Sequence, residues 1–467
     1  MNLFSTTTYT DRRAGLLQNL NTQNDSHGSS LILIMGNTES PMNYRDNIYR
    51  FRQDSNFRYY FGINLPNLHA VIDYASGETI LFGNDYSMED IIWVGEQESL
   101  TSLAEKVGIK DIRPLNDLHK YIKESDHKVL FTPPYRHENI ILLGSLLGES
   151  PLIVPSLVSV DLIKAIIAQR SIKTEEEIVQ IEDAVNITRS MHLTAMQSTA
   201  PDLYEYEVVG AIHQSLHASH AELSYPIIFS INGQTLHNHH HDNLMNSGNL
   251  ALNDSGAENP FGYSGDITRT FPVNGKFNSQ QKEIYELVLK MEKDCIAACS
   301  VGTPYRDMHI LANRILLDGM KSLGLLKGSA EDMLMTNVAG MFMPHGLGHM
   351  IGMDVHDMED LGEQYVGYTE DIERSKVMGL KSLRLAKPLE AGFVITVEPG
   401  IYFIPQLIDK LKAEKQHTDF VNYDKLEAYK SFGGVRIEDD VHITNKGAKV
   451  LGEYIPKEVN EIEEIMS

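Results

Sequence analysis

Five short segments after residue 225 constrain the fold of this sequence more than any other feature. In these segments, acidic residues and histidines occur where a strand is expected to end or where glycine turns the chain. In order along the chain, their central residues are Asp254, Asp266, His349, Glu398 and Glu438. Few basic residues lie near them, and four carboxylates with one histidine are costly to bury unless something cationic binds them. We therefore expect a fold that brings the five side chains together around metal.

The composition of this set indicates which metal it would hold. Oxygen-rich ligation with a single imidazole suits Mn²⁺ and accommodates Co²⁺ or Zn²⁺ less selectively. Four carboxylates exceed what one ion needs, whereas two divalent ions sharing bridging carboxylates would balance the charge and activate one water. Taken singly, each segment has a simpler explanation, because an aspartate before glycine is usually a turn residue. Only their joint occurrence favours a metal centre.

The local patterns predict a mixed α/β chain of two or three domains, given 467 residues. Residues 11–24 have helical spacing, and the first third contains three short β-type runs, Leu31–Met35, Ala70–Asp73 and Thr79–Phe82. In the last third, Val394–Val397 and Val435–Ile443 are strand-like.

A change of pattern near residue 170 predicts a domain boundary. Thr174 and Glu177 form the sequence signature of a capping box and predict the start of a helix. Farther along, Thr303-Pro304 predicts another helix, with proline at its first position. We therefore divide the chain into residues 1–170 and 171–467.

Charge and composition exclude several classes of protein. The sequence has 64 acidic and 40 basic residues, a formal net charge of −24, which argues against nucleic acid and anionic membranes as partners.

Apolar stretches such as Leu31–Met35 are far shorter than the ~20 residues of a membrane helix. Residues 1–13 lack a basic start followed by an apolar run, so we expect no signal peptide. Two cysteines, Cys295 and Cys299, make no disulfide framework, and we expect a cytoplasmic location.

Longer strings around these segments resemble a known superfamily. SGDITRTFPVNGKF, FMPHGLGHMIGMDVHD, TVEPGIYF and GGVRIEDDVHIT are similar to the Xaa-Pro branch of the pita-bread metallopeptidases, which also include methionine aminopeptidase and creatinase. FRQDSNFRYYFGINLP resembles the N-terminal domain of aminopeptidase P and prolidase. The resemblance implies an α/β (α+β) chain, in which a creatinase/aminopeptidase P-like domain, residues 1–170, precedes a pita-bread catalytic domain, residues 171–467.

The resemblance also implies a role for each of the five metal-ligand candidates. Asp254 would bind one ion with both of its oxygens, and Asp266 and Glu438 would bridge two ions. His349 and Glu398 would complete the second ion's ligands. Glu398 would in addition be the general base that takes a proton from water and passes it to the leaving proline nitrogen.

Further residues match positions that surround the metals in that family. His237 would bind substrate, and His345 and His356 would contact the scissile carbonyl or the developing oxyanion. Arg384 would pair with the carboxylate or backbone of the substrate, while Arg436 would orient metal ligands. For both arginines an ordinary structural ion pair remains an alternative.

Trp93, the chain's only tryptophan, admits two interpretations. The apolar run Ile91–Val94 has a strand pattern, which predicts an ordinary packed aromatic. The resemblance instead implies a loop whose tryptophan reaches the active site of the neighbouring chain in a homodimer, where a flat ring would wall the proline pocket.

The resemblance implies a metallo-exopeptidase that hydrolyses the Xaa-Pro bond of proline-containing peptides. Glu398 and Glu438 are 40 positions apart, and this long insert favours prolidase, an Xaa-Pro dipeptidase. Xaa-Pro aminopeptidase activity on longer peptides is the alternative. Creatinase lacks the five-ligand set. An inactive binding module of the same fold would have lost ligands, and this sequence retains all five.

Overall fold

The computed structural model describes residues 2–23 and 27–467. Two residues used in the sequence predictions lie outside these ranges. They are Met1, which belongs to the segment in which we looked for a signal peptide, and Asn24, the last residue of the first predicted helix. The chain divides into two compact units. The first runs through Arg170 and also includes Asp360–Tyr365, whereas the second comprises Ser171–Glu359 and Val366–Ser467.

The first part of the chain alternates short strands with helices around a mixed sheet. The elements are α1 (Thr6–Gln23), β1 (Ser30–Met35), β2 (Pro41–Tyr44), β3 (Asn47–Ile48), α2 (Ser55–Phe61), β4 (His69–Asp73), β5 (Thr79–Phe82), α3 (Met88–Val94), α4 (Leu100–Lys106), β6 (Asp111–Arg113), α5 (Asp117–Ser125), β7 (Lys128–Leu130), α6 (His137–Leu147) and α7 (Val160–Ser171). The sheet has the strand order β6-β5-β4-β1-β7, with antiparallel pairs at its centre and a parallel pair at each edge.

The short apolar runs of this part form its central strands, as their patterns predict. β5 has the predicted bounds, and β1 and β4 each begin one residue earlier than predicted. Leu31, Val71 and Phe82 are fully buried in the core of this unit, which is typical of strands covered on both faces. Helix α1 begins at Thr6, five residues before its predicted start.

The strand prediction for Ile91–Val94 is wrong, because these residues lie in helix α3. The Ser87 hydroxyl accepts a hydrogen bond from the backbone N–H of Asp90 (3.2 Å), and the Asp90 carboxylate accepts one from the backbone N–H of Ser87 (2.8 Å). This capping box satisfies backbone donors at the helix start and favours a helix over an extended chain. A serine followed three residues later by an aspartate is the signal that could have predicted it.

The second part of the chain contains two long helical pairs and several small antiparallel sheets. Its elements are α8 (Glu175–Ser198), α9 (Glu205–Ala218), β8 (Glu222–Leu223), β9 (Ile228–Ser230), β10 (Leu250–Ser255), β11 (Ala257–Glu258), β12 (Ile267–Pro272), α10 (Ser279–Ala298), α11 (Tyr305–Ser322), α12 (Ala330–Met335), α13 (Glu363–Val366), β13 (Val394–Val397), β14 (Gly400–Tyr402), α14 (Pro405–Ala413), α15 (Tyr423–Leu426), β15 (Gly434–Arg436), β16 (Asp439–Thr444), β17 (Gly447–Val450) and α16 (Val459–Ile465). Helix α8 packs on α9, and α10 packs on α11.

Three features of this part bear on the sequence predictions. The Thr174–Glu177 capping box is confirmed, and α8 begins directly after Thr174. Pro304 is the residue before the first turn of α11 rather than its first helical residue. The predicted strand Val435–Ile443 is two strands, β15 and β16, which are separated at Ile437 and Glu438.

Strand pairing sets the positions of the acidic residues. β10 lies between β12 and β9, with Asp254 opposite Thr268 of β12. Thr268 also forms an isolated antiparallel bridge with Glu438, and β13 pairs with β16. The break between β15 and β16 therefore lies against β12, so Glu438 approaches the strand that follows Asp266.

None of the helices in the described part of the chain is long and apolar enough to span a bilayer. Cys295 and Cys299 are both buried and free.

Candidate metal centre

One cavity of about 380 Å³ gathers the acids and histidines singled out in the sequence. All five metal-ligand candidates line it, namely Asp254, Asp266, His349, Glu398 and Glu438. His237, His345, His356, Arg384 and Arg436 line it as well. Residues nearly 200 positions apart in the chain therefore meet at one site.

Asp254 and Asp266 face each other across a tyrosine hydroxyl. Asp254 lies near the end of β10, and Asp266 directly precedes β12. The hydroxyl of Tyr225 is 2.6 Å from Oδ1 of Asp254 and 2.5 Å from Oδ1 of Asp266. A phenol has one proton and can donate it to only one of these oxygens at a time. At any moment, therefore, at least one of these two carboxylate oxygens receives no proton from Tyr225.

Arg436 anchors the outer oxygen of Asp254. Its Nη2 donates to Oδ2 of Asp254 (2.5 Å), while Nη1 donates to the Tyr402 hydroxyl (2.8 Å) and Nε to the Thr268 hydroxyl (3.1 Å). The guanidinium is almost fully buried, so three hydrogen bonds fix its plane. Arg436 therefore holds one oxygen of the Asp254 carboxylate in a fixed position.

His349 reaches the centre from a turn that packs against β13. Its Nδ1 is 3.0 Å from the carbonyl oxygen of Met350, a contact in which Nδ1–H donates, so that Nε2 is the ring nitrogen that faces the carboxylates. Nε2 lies 3.4 Å from Oδ2 of Asp266 and 3.8 Å from Oε1 of Glu398. A Cβ atom at neighbouring Gly348 would lie 2.1 Å from the carbonyl oxygen of Thr396, so this close approach requires glycine.

Glu438 is held through both its side chain and its backbone. The Thr268 hydroxyl donates to its Oε2 (2.6 Å), and Nη1 of Arg269 donates to its carbonyl oxygen (2.7 Å). Arg269 also pairs with Asp439 at 2.7 Å. These contacts hold the interruption between β15 and β16 in place, with Glu438 lining the cavity.

The arrangement fits divalent cations. Asp266, His349 and Glu438 each offer a ligand atom, and these atoms lie within 4.8 Å of one another. Burial, together with the charges of Asp266 and Glu398, raises the pKa of Glu438 well above its usual range. Burial also raises the pKa of Glu398 to about 7, despite the opposing effect of His349. A bound cation would relieve this concentration of negative charge.

His345 is integrated into a hydrogen-bonded chain at the cavity wall. Its Nε2 is 2.8 Å from the Tyr402 hydroxyl, and its Nδ1 is 2.7 Å from the carbonyl oxygen of Gly346. The same nitrogen is 3.7 Å from Oε2 of Glu398. Burial and the charge of Arg436 lower the pKa of His345 to about 3, so its ring is neutral at pH 7.

His356 and Arg384 share one carboxylate, that of Glu359. Oε2 of Glu359 is 3.1 Å from Nδ1 of His356 and 2.5 Å from Nη1 of Arg384. The ring of His356 lies against that of His349, with centroids 4.0 Å apart. His237 also lines the cavity and is exposed.

Trp93 is not among the residues that line the cavity; it lies on α3 and is 80% exposed.

Four residues at the site were missed in the sequence. These are Tyr225, Tyr402, Glu359 and Asp440, whose Oδ2 accepts a hydrogen bond from the backbone N–H of Asp266 (3.0 Å). Asp440 could have been suspected, because it alternates with Glu438 in an acidic run that begins a strand. The other three carry no local signal, since their roles depend on partners far away in the sequence.

Comparison with known protein families gives one match in each part of the chain. The sequence profile of metallopeptidase family M24 matches residues 179–445, a span that contains all five metal-ligand candidates. The profile of the aminopeptidase P N-terminal domain matches residues 9–131. The mixed α/β fold with these two parts in this order agrees with the fold that the resemblance implies.

Relatives and solved structures extend this similarity over nearly the full length. The chain is 33% identical to the Xaa-Pro dipeptidase of Homo sapiens over 94% of its own length and 89% of that protein. It is 34% identical to a probable Xaa-Pro aminopeptidase of Fusarium vanettenii, over 89% of this chain and 88% of that one. A zinc-substituted Escherichia coli aminopeptidase P in complex with product matches with a TM-score of 0.81 and 28% identity, covering 100% and 99% of the two chains. The chain therefore belongs to metallopeptidase family M24.

Proposed function

We propose that this chain is a metal-dependent exopeptidase that hydrolyses the bond between an N-terminal residue and proline, with Xaa-Pro dipeptides as favoured substrates. The observation that carries the proposal is the convergence of Asp254, Asp266, His349, Glu398 and Glu438 on one cavity of about 380 Å³. The names of the human and fungal relatives support the substrate class. Xaa-Pro aminopeptidase activity on longer peptides is the second candidate.

The cofactor we propose is a pair of divalent ions, with Mn²⁺ favoured over Co²⁺ and Zn²⁺. Asp266 and Glu438 would bridge the pair, Asp254 would hold one ion, and His349 and Glu398 the other. Such ions, when bound, lower the pKa of water and polarise a carbonyl oxygen. Carboxylates with one imidazole are the ligand set that supports Mn²⁺.

The chain's own residues would orient the substrate and move the proton. Glu398 lies at the cavity with a raised pKa, which suits a carboxylate that accepts a proton and passes it to the leaving nitrogen. Arg436 and Tyr225 hold Asp254 in place. We propose that His237 binds substrate and that His356 and His345 act at the scissile carbonyl, with Tyr402 fixing the ring of His345.

Hydrolysis of Gly-Pro and of a longer Gly-Pro-Pro peptide, with Mn²⁺ present, tests this function. We expect both peptides to be cleaved before proline, with Gly-Pro preferred, and Gly-Ala to resist cleavage. A chelator should abolish the activity, and Mn²⁺ should restore it. Protein that holds no metal and cleaves neither proline peptide would contradict the proposal and favour a binding module.

We further propose a homodimer in which Trp93 completes the partner's active site. Helix α3 has no buried residue, and four of its five apolar side chains are exposed: Met88 71%, Ile92 74%, Trp93 80% and Val94 58%. A group of exposed apolar residues of this size is typical of an interaction surface, and two-fold symmetry would place two such contacts at once.

A mixing experiment checks the shared site. Trp93→Ala should raise KM in homodimers, because the proline pocket loses a wall. Mixing Trp93→Ala chains with Asp266→Asn chains should restore activity, since one site of each mixed dimer then has both an intact metal centre and the partner's tryptophan. Glu89→Gln, a change elsewhere on the same helix, is the control. No gain in activity after demonstrated subunit exchange would contradict the proposal.

The location we propose is the cytoplasm. Both cysteines are free and buried, as expected for a chain that folds in a reducing compartment.

A further inference from the structure

Glu359 lies next to the cavity without being one of the residues that line it. Its Oε2 is 2.5 Å from Nη1 of Arg384 and 3.1 Å from Nδ1 of His356, and both of these residues do line the cavity. The glutamate side chain is 17% exposed, and its second oxygen, Oε1, is buried without a hydrogen-bond partner. A largely buried negative charge therefore lies directly behind two residues that line the cavity.

The two guanidinium groups among the described residues of the cavity wall belong to Arg384 and Arg436. Arg436 is 4% exposed and uses its three donor nitrogens on Thr268, Tyr402 and Asp254. The side chain of Arg384 is 34% exposed. Arg384 is therefore the more accessible of the two guanidinium groups for an anionic group of a bound peptide.

In an Xaa-Pro dipeptide, the group next to proline is a free carboxylate. In a longer peptide, the same position holds an uncharged peptide carbonyl. A cation that meets this position favours the dipeptide, because only the dipeptide offers it a full negative charge. The strength of that preference depends on how much of the cation's charge is already offset by the protein.

We propose that Glu359 is a specificity-determining residue that weakens the preference of Arg384 for a free carboxylate, so that the site also accepts peptides extended beyond proline. The inference rests on the proposed Xaa-Pro activity. Glu359 acts through Arg384 and is a positioning residue rather than a catalytic one. Its hydrogen bond to His356 couples the same carboxylate to a second residue of the wall.

The test compares Ala-Pro with its C-terminal amide, Ala-Pro-NH₂, which have the same shape but differ in charge at this position. Glu359→Gln keeps the length and an oxygen acceptor and removes the charge. We expect the ratio of kcat/KM for Ala-Pro to that for Ala-Pro-NH₂ to rise about fivefold. The change should appear mainly in KM, because the affected contact is present both in the enzyme–substrate complex and in the transition state.

Three variants distinguish charge from a general structural effect. Glu359→Asp retains the charge and should keep the ratio near that of the unmodified enzyme. Arg384→Gln should lower the ratio, and adding Glu359→Gln to Arg384→Gln should change it no further. Glu373→Gln makes the same chemical change at an exposed glutamate between His356 and Arg384 and should have no effect.

Each possible result supports or overturns the inference. Equal losses on both substrates in Glu359→Gln would show that the residue only supports the fold of the wall and would overturn it. If Glu359→Gln does not fold, as judged by thermal denaturation, an unchanged ratio in Arg384→Gln overturns it. If the unmodified enzyme cleaves neither substrate with Mn²⁺, the proposed function itself is contradicted. If the unmodified enzyme and Glu359→Gln both cleave the two substrates with the same ratio of kcat/KM, only the role of Glu359 is contradicted.

Discussion

Asp266→Asn is expected to abolish hydrolysis of Xaa-Pro peptides. Asp266 lies between Tyr225 and His349, at 2.5 Å from the hydroxyl and 3.4 Å from the ring nitrogen, and we propose that it bridges both ions. An amide has one neutral oxygen and cannot bridge two cations with a full negative charge. The variant should lose one or both metals, which elemental analysis of purified protein and an assay with Ala-Pro would detect together.

The loss should come from the charge and not from unfolding. The backbone N–H of Asp266 donates to Asp440 (3.0 Å), and this hydrogen bond does not depend on the side chain. Asp294→Asn, the same change at a surface ion pair with Lys290, is a matched control that should keep full activity. Asp266→Asn protein with two bound metals and normal turnover would contradict the assignment.

Glu398→Gln is expected to lower turnover by roughly 10²–10⁴-fold even when metals are supplied, which is the usual contribution of a positioned general base. Glu398 directly follows β13, and its carboxylate lies 3.8 Å from Nε2 of His349 and 3.7 Å from Nδ1 of His345. Glutamine retains the shape but cannot take a proton. The reduction should appear in kcat, measured at saturating Ala-Pro and Mn²⁺.

A glutamate outside the site provides the comparison for this variant. Glu390 is exposed and precedes the same strand, so Glu390→Gln changes the net charge equally and should leave kcat unchanged. Metal content must be measured in both variants, because Glu398 is also a ligand candidate. Normal kcat in Glu398→Gln with its metals bound would exclude the role as base.

Local patterns predicted the elements whose formation depends on neighbouring residues. The apolar runs that became β1, β4, β5 and β13 and the capping box that starts α8 are of this kind. The prediction failed at Ile91–Val94, where β-branched residues favoured a strand but the cap formed by Ser87 and Asp90 started a helix. A helix N-cap four residues before an apolar run can therefore decide the conformation of that run.

The five acids and histidines proposed as metal ligands were found in the sequence because carboxylates and histidines are expensive to bury and therefore stand out. Their partners were not, since a tyrosine or threonine hydroxyl is ordinary in any sequence. Tyr225 lies 29 and 41 positions from the two aspartates that it contacts. Glu359 lies 25 positions from Arg384. Nothing in the spacing of these residues indicates that they meet.

Residue identity and local order in the sequence are sufficient to indicate the family, the two-part α/β organisation and the candidate metal ligands. How charge is distributed among these side chains depends on the folded chain. Strand pairing places Thr268 between Asp254 and Glu438, and folding brings Glu359 behind Arg384. Electrostatic interactions depend on distance in space and on burial rather than on separation along the chain, so the tuning of this site is a property of the folded molecule.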